Sequence, residues 1–216
     1  MSFIHSILDP IIIIETIGLV GIWFIIFAES GLFFGFFLPG DSLLFTAGFL
    51  AEQGFFPSYV VAPVVLLFVG SFIAAVLGDN VGYMFGRRIG PALFSKEDSF
   101  FFNKKYPLQA QKFYELHGTK TIILARFIPI IRTFAPIVAG VGSMKYRIFF
   151  LYNIIGGFLW TGFLIFFGFF LGKSIPNAEN YVTPLVILII VISFVPAVLH
   201  FLKNRRGSGA AQHPEI

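Results

Sequence analysis

Three stretches of the chain, at about 58–86, 146–172 and 182–202, are apolar over more residues than the roughly 18 a helix needs to cross a bilayer. Tyr59, Tyr146, Tyr152 and Tyr181 lie near their ends, where the interfacial aromatic belt runs. A chain of 216 residues with 31 phenylalanines fits lipid-facing helices better than a soluble core. An all-α polytopic membrane protein is therefore predicted, as one domain over residues 1–206 followed by a polar, glycine-rich tail, 207–216, that reads as disordered. The N-terminus has no basic run ahead of its apolar residues, and Glu15 interrupts them, so it reads as retained.

Two further apolar segments carry charge and helix breakers. Thr121 to Gly142 reads TIILARFIPIIRTFAPIVAGVG and holds Arg126 and Arg132 together with Pro129 and Pro136. An arginine at the centre of a spanning helix costs roughly 2.5–3.5 kcal/mol on insertion scales, so two of them call for a protein-lined or aqueous cavity. Proline removes a helix donor and disfavours helix at the residue before it. A re-entrant hairpin at about 119–142 is predicted. The segment at about 18–54 has the same character, with Glu29, Pro39, Gly40 and Asp41 inside FAESGLFFGFFLPGDSLLFTAGFLAEQG, and is predicted to form a second re-entrant hairpin.

Each hairpin follows a shorter, more polar stretch and precedes a full span, and Ala47-Gly48 is echoed by Ala139-Gly140. The order predicts an inverted repeat of re-entrant hairpin plus transmembrane helix, with an additional C-terminal transmembrane helix; chance likeness between apolar segments is the alternative. Residues 1–86 contain six acids and no Lys or Arg, and all 15 basic residues fall from Arg87 to Arg206. The positive-inside rule then puts the Arg87–Lys120 connection and the C-terminus in the cytoplasm. These charges flank membrane segments, which argues against nucleic acid as a partner.

The four charges Glu29, Asp41, Arg126 and Arg132 are predicted to neutralise one another where the hairpin tips meet. The plainer alternative is a pair of salt bridges that only fix the hairpins. A third element, GDNVGYMFGRRIG, has glycines at 78, 82, 86 and 90, a smooth helix face suited to close packing. Asp79, Tyr83 and Arg87 share the adjoining face at i, i+4 spacing, and Asp79 reads either as a support for Tyr83 or an arginine or as a direct participant in transport. Small residues around Trp160 read as packing, and Asn153 as a candidate to reach the cavity. The chain has no cysteine, four scattered histidines and none of the common hydrolase, nucleotide-binding or zinc motifs. No enzyme, no metal and no cofactor are expected.

Taken together, FAESGLFFGFFLPGDSLL, GDNVGYMFGRRIG and FYELHGTKTIILARFIPIIRTFAPIVAGVGSM resemble the bacterial DedA family, related to the eukaryotic VTT or SNARE-associated Golgi proteins, over about residues 15–172. The resemblance implies a multi-pass protein of the bacterial inner membrane with two re-entrant hairpins. It implies roles in membrane potential and envelope homeostasis and, in some members, return of undecaprenyl phosphate to the cytoplasmic leaflet. By position, Glu29 and Asp41 match the family's acidic pair, and Arg126 and Arg132 its arginine pair.

The residues support that direction. A polyprenyl monophosphate needs a cationic pocket for its head and an open apolar flank for its tail, and arginine's planar fork suits phosphate oxygens. The leading expectation is a lipid-carrier flippase in which Arg126 and Arg132 bind the phosphate while Glu29 and Asp41 couple protons, with Asp79, Tyr83, Arg87, Pro39, Gly40, Pro129 and Pro136 in support. A proton-coupled exporter of small or cationic solutes and a non-transporting envelope scaffold are the alternatives. Exact substrate, gradient-driven or downhill transport, and assembly into a homo-oligomer are left open by the residues.

Overall fold

The structure, a computed structural model, describes residues 10–32, 38–57, 62–94 and 121–174. All regular structure among them is helical: α1 (Pro10–Gly31), α2 (Gly40–Glu52), α3 (Pro63–Phe94), α4 (Thr121–Ala125), α5 (Pro129–Val141) and α6 (Tyr146–Ser174). The predicted third span at 182–202, the tail and most of the Arg87–Lys120 connection lie outside the described residues.

Three helical stretches, Ile14–Gly31, Pro63–Gly90 and Tyr146–Ser174, are long and apolar enough to cross a membrane. Two of them overlap the expected spans at 58–86 and 146–172, and the helix of the former continues to Phe94, so that Arg87 and Arg88 lie within it. The stretch Ile14–Gly31 is bent: counted across its break it reaches span length, but its unbroken part, 19–31, is no longer than α2 or α5, the other short helices of the fold. Its break falls at Gly18, whose φ of 59° and ψ of −163° suit glycine and few other residues. Glu29 sits in the last turn of α1 and is neutralised there, so the helix need not stop short of it.

α2 and α5 have 13 residues each. At 1.5 Å per residue each is about 20 Å long, well short of a hydrocarbon core of roughly 30 Å. Both begin at a proline break. Pro39 precedes α2, and Pro129 opens α5 after Ile128, which is held extended (φ −113°, ψ 108°) as a residue before proline should be. Pro136 departs from expectation: it lies inside continuous α5 and does not end it. Pro136 removes the donor to residue 132, near the helix start, where α5 has turns on both sides to hold it.

The short helices cross over between the halves of the chain. α2 packs chiefly on α6, and α5 chiefly on α3, while α1 lies against α3. Glycine makes each crossing close. A Cβ at Gly48 of α2 or Gly168 of α6 would strike the backbone of Ile165 or Phe45 of the facing helix. On the other side, a Cβ at Gly86 of α3 would strike the Ile137 carbonyl, and one at Gly140 of α5 the Tyr83 carbonyl. The Gly78-82-86-90 face thus serves two helices, since Gly78 abuts Phe27, Ser30 and Gly31 of α1 while Gly86 and Gly90 abut α5. Apolar side chains fill the interior, with Ile22, Ile26, Leu43, Leu44, Leu67 and Ile165 fully buried in one cluster. Others point outward, among them Val20, Phe24, Phe163 and Phe170. Helices apolar on all sides are what a bilayer selects.

Candidate functional site

Five ionisable side chains, three acids and two arginines, converge between the short helices and the long ones, and they sort into two groups. In the first, Arg132 of α5 spreads its fork: one terminal nitrogen donates to Asp41 Oδ1 and the other to Glu29 Oε1. Asp41 lies in the first turn of α2, where the helix dipole favours a carboxylate. Glu29 lies in the last turn of α1, where the dipole opposes one, so its guanidinium partner matters more. Glu29 Oε2 lies against Gly40, outside hydrogen-bond geometry, in the space a Cβ at that position would take.

In the second group, Arg126 follows the last residue of α4, and a terminal nitrogen donates to both Asp79 Oδ2 of α3 and Asn153 Oδ1 of α6. Asn153 is fixed in turn, its Nδ2 donating to the Val76 carbonyl at 3.1 Å. Gly156 gives the arginine room, since a Cβ there would lie 3.0 Å from Arg126 Cδ. Arg126 Nε is buried without a hydrogen-bond partner.

The expected four-way neutralisation is therefore distributed differently. Both hairpin acids pair with Arg132, and Arg126 takes the acid of α3. The reason is geometric: Arg126 leaves the chain at the end of α4, against α3 and α6, and Arg132 one turn into α5, against the start of α2. Asp79 pairs with Arg126. Tyr83 and Arg87 form a separate link, the Tyr83 hydroxyl donating to the Met144 carbonyl and Arg87 donating to the Tyr83 oxygen at 3.0 Å. Tyr83 also stacks on Phe149 with centroids 4.4 Å apart. That link ties α3 to the turn between α5 and α6 and does not touch Arg132.

Trp160, read from the sequence only as packing, belongs to the site. Its indole N–H donates to Asp41 Oδ1 at 2.9 Å, and its ring lies 4.7 Å from the Arg132 guanidinium carbon and 6.0 Å from that of Arg126. A signal was available, because Trp160 stands seven residues after Asn153 and so on the same helix face.

The groups also differ in access. The Arg126 and Asp79 side chains are each 5% exposed, whereas Arg132 is 11% and Asp41 19% exposed. The Arg132–Asp41 side is the more exposed of the two. Among the described residues no cluster of His, Asp and Glu has the arrangement of a metal site.

Residues 38–170 match the family model described as the VTT domain. The chain is 42% identical over 222 residues to Protein DedA of Escherichia coli (strain K12), covering 98% of this chain and 99% of that one. It is 45% identical over 192 residues to an uncharacterized membrane protein of Mycobacterium leprae (strain TN), covering 89% and 83% of the two chains. It is 33% identical over 150 residues to the inner membrane protein YqjA of Escherichia coli (strain K12), covering 69% and 66%. No solved structure matches the chain.

Proposed function

The chain belongs to the DedA family of VTT-domain membrane proteins, and on that premise we propose that it is an inner-membrane carrier returning an anionic lipid, undecaprenyl phosphate or a related polyprenyl phosphate, to the cytoplasmic leaflet. The observation that carries this reading is the fork of Arg132. It is a planar, bidentate cation, reachable at one edge, whose two donors are occupied by carboxylates that an incoming phosphate can replace. Arg132 makes the first contact. Arg126, across the same indole, adds positive field and holds the cavity wall through Asp79 and Asn153.

Charge balance supports proton coupling. Three carboxyls face two guanidinium groups, so a proton has a place in the cluster before any substrate arrives. When a phosphate claims Arg132, Glu29 and Asp41 lose their cation in a poorly solvated site and proton uptake restores neutrality. Phosphate and proton then travel together, and an inward proton gradient drives the head group inward. This is a carrier reading with no covalent chemistry assigned to the chain.

The inverted repeat is part of the proposal. Its support is that each half has a short helix after a proline break, one charge where the first arm ends, a second in the first turn of the next, and a glycine crossing to the other half's long helix. In that arrangement α2 and α5 are the inner arms of opposed hairpins, and the C-terminus lies in the cytoplasm.

Reconstitution into liposomes with a fluorescent polyprenyl phosphate, with and without an imposed pH gradient, tests the reading. Head-group transfer above protein-free vesicles, lost in Glu29→Gln with Asp41→Asn, is expected. Proton flux driven by a small or cationic solute instead would identify an exporter. Neither activity would leave a scaffold.

A further inference from the structure

We infer that Trp160 is a positioning residue of the anion site: its indole N–H fixes the Asp41 carboxylate, its ring carries the Arg132 guanidinium carbon, and it remains Asp41's donor when an anion takes the arginine. The inference deepens the anionic-lipid reading and rests on it. Trp160 is 3% exposed, and it is placed against both guanidinium groups and against an acid of the cluster. The other elements supply the charges: Glu29 from α1, Asp41 from α2, Asp79 from α3, Arg126 from the end of α4 and Arg132 from α5. From α6 come the polar Asn153 and this indole.

The geometry gives the ring two tasks. Asp41 Oδ1 accepts from both Arg132 and Trp160, so the carboxylate is held by two donors that differ in kind. Arg132 can be claimed by an anionic ligand. The indole cannot, since it carries no net charge and its N–H points at Asp41. A phosphate on Arg132 therefore leaves Asp41 with one donor rather than none, which lowers the penalty of separating the ion pair. The Arg132 guanidinium carbon also lies over the ring, 4.7 Å from its centroid, where cation–π attraction helps to hold the arginine in place. An anion then meets an arginine already positioned to offer two N–H donors to two phosphate oxygens.

Binding of a short-chain prenyl monophosphate, geranyl phosphate, to the purified full-length chain in detergent tests this through a double-mutant cycle. Trp160→Phe keeps a ring face and loses the N–H. It is expected to weaken binding about tenfold, the scale of one hydrogen bond to a charged group. In an Asp41→Ala background, which removes the acceptor altogether, the same substitution should have little further effect, because the indole acts through that carboxylate. Equal weakening in both backgrounds, or none in either, overturns the inference. If the unmodified chain binds no prenyl monophosphate, the anionic-lipid reading itself fails and the inference falls with it.

A second measurement keeps the indole in place. Trp23 and Trp160 are the only tryptophans, and the Trp23 N–H has no hydrogen-bond partner, so Trp23→Phe isolates the emission of Trp160 without breaking a bond. Geranyl phosphate should change that emission, and Arg132→Gln should abolish the change. Ligand binding with Trp160 emission unaltered would also overturn the inference.

Discussion

Glu29 Oε2 fills the space that a side chain on Gly40 would need, so the end of α1 and the start of α2 touch through a carboxylate and a bare backbone. The contact sets where Glu29 can stand relative to Arg132. Glu29 is a flexible side chain and would yield before the backbone did. Gly40→Ala should therefore swing the carboxylate away from Arg132 and lower transport severalfold, with most of the folded protein retained. Transport assays normalised to the amount of folded protein in the membrane check this.

The two arginines should answer to substitution differently. Arg132→Lys keeps the charge and loses the fork, so it cannot bridge Glu29 and Asp41 or hold two phosphate oxygens; transport should fall by at least about tenfold while the protein still accumulates. Arg126→Leu leaves Asp79 buried without its cation, which costs about 3–5 kcal/mol in comparable pairs, so here the folded protein itself should be lost. Membrane abundance and thermal stability in detergent separate the two outcomes. Full transport in Arg132→Lys would count against phosphate recognition by the fork.

The glycine crossings predict a graded series. Gly86→Ala would drive a methyl group into the Ile137 carbonyl of α5, and Gly168→Ala one into the Phe45 carbonyl of α2. Neither backbone can step aside alone, so each should destabilise by about 1–3 kcal/mol. Gly162→Ala is the control, since its methyl group would meet only the Phe68 ring, at 3.3 Å. Comparable melting temperatures for all three would show that the helices do not cross as closely as described.

The opposed hairpins predict sidedness. The chain is free of cysteine, so single cysteines report cleanly. Leu32 follows α1 and Phe127 follows α4, and both are about half exposed. In intact cells, Leu32→Cys should react with a membrane-impermeant maleimide added from outside. Phe127→Cys should react only from the cytoplasmic side or through the shared cavity. Labelling of both from the same face only would rule out the inverted arrangement.

Much of this protein was legible in its sequence because a bilayer imposes simple rules. Span-length apolar runs gave the long helices near 63–94 and 146–174. Intramembrane charges beside Pro and Gly pointed to the cluster, since lipid rejects such groups and only a packed interior accepts them. The helix spacing of Asp79 and the small residues of GDNVGYMFGRRIG marked a supporting face. These are one-dimensional signals, read from composition and period.

Tertiary structure decided the pairings. Nothing in the order of residues says that Arg132 takes both Glu29 and Asp41, or that Arg126 turns to Asp79 and Asn153. Those choices follow from where α4 ends and α5 begins relative to α2, α3 and α6. Trp160 was missed for the same reason. An indole among phenylalanines reads as packing in sequence, and only a carboxylate 2.9 Å from its nitrogen makes it part of the site.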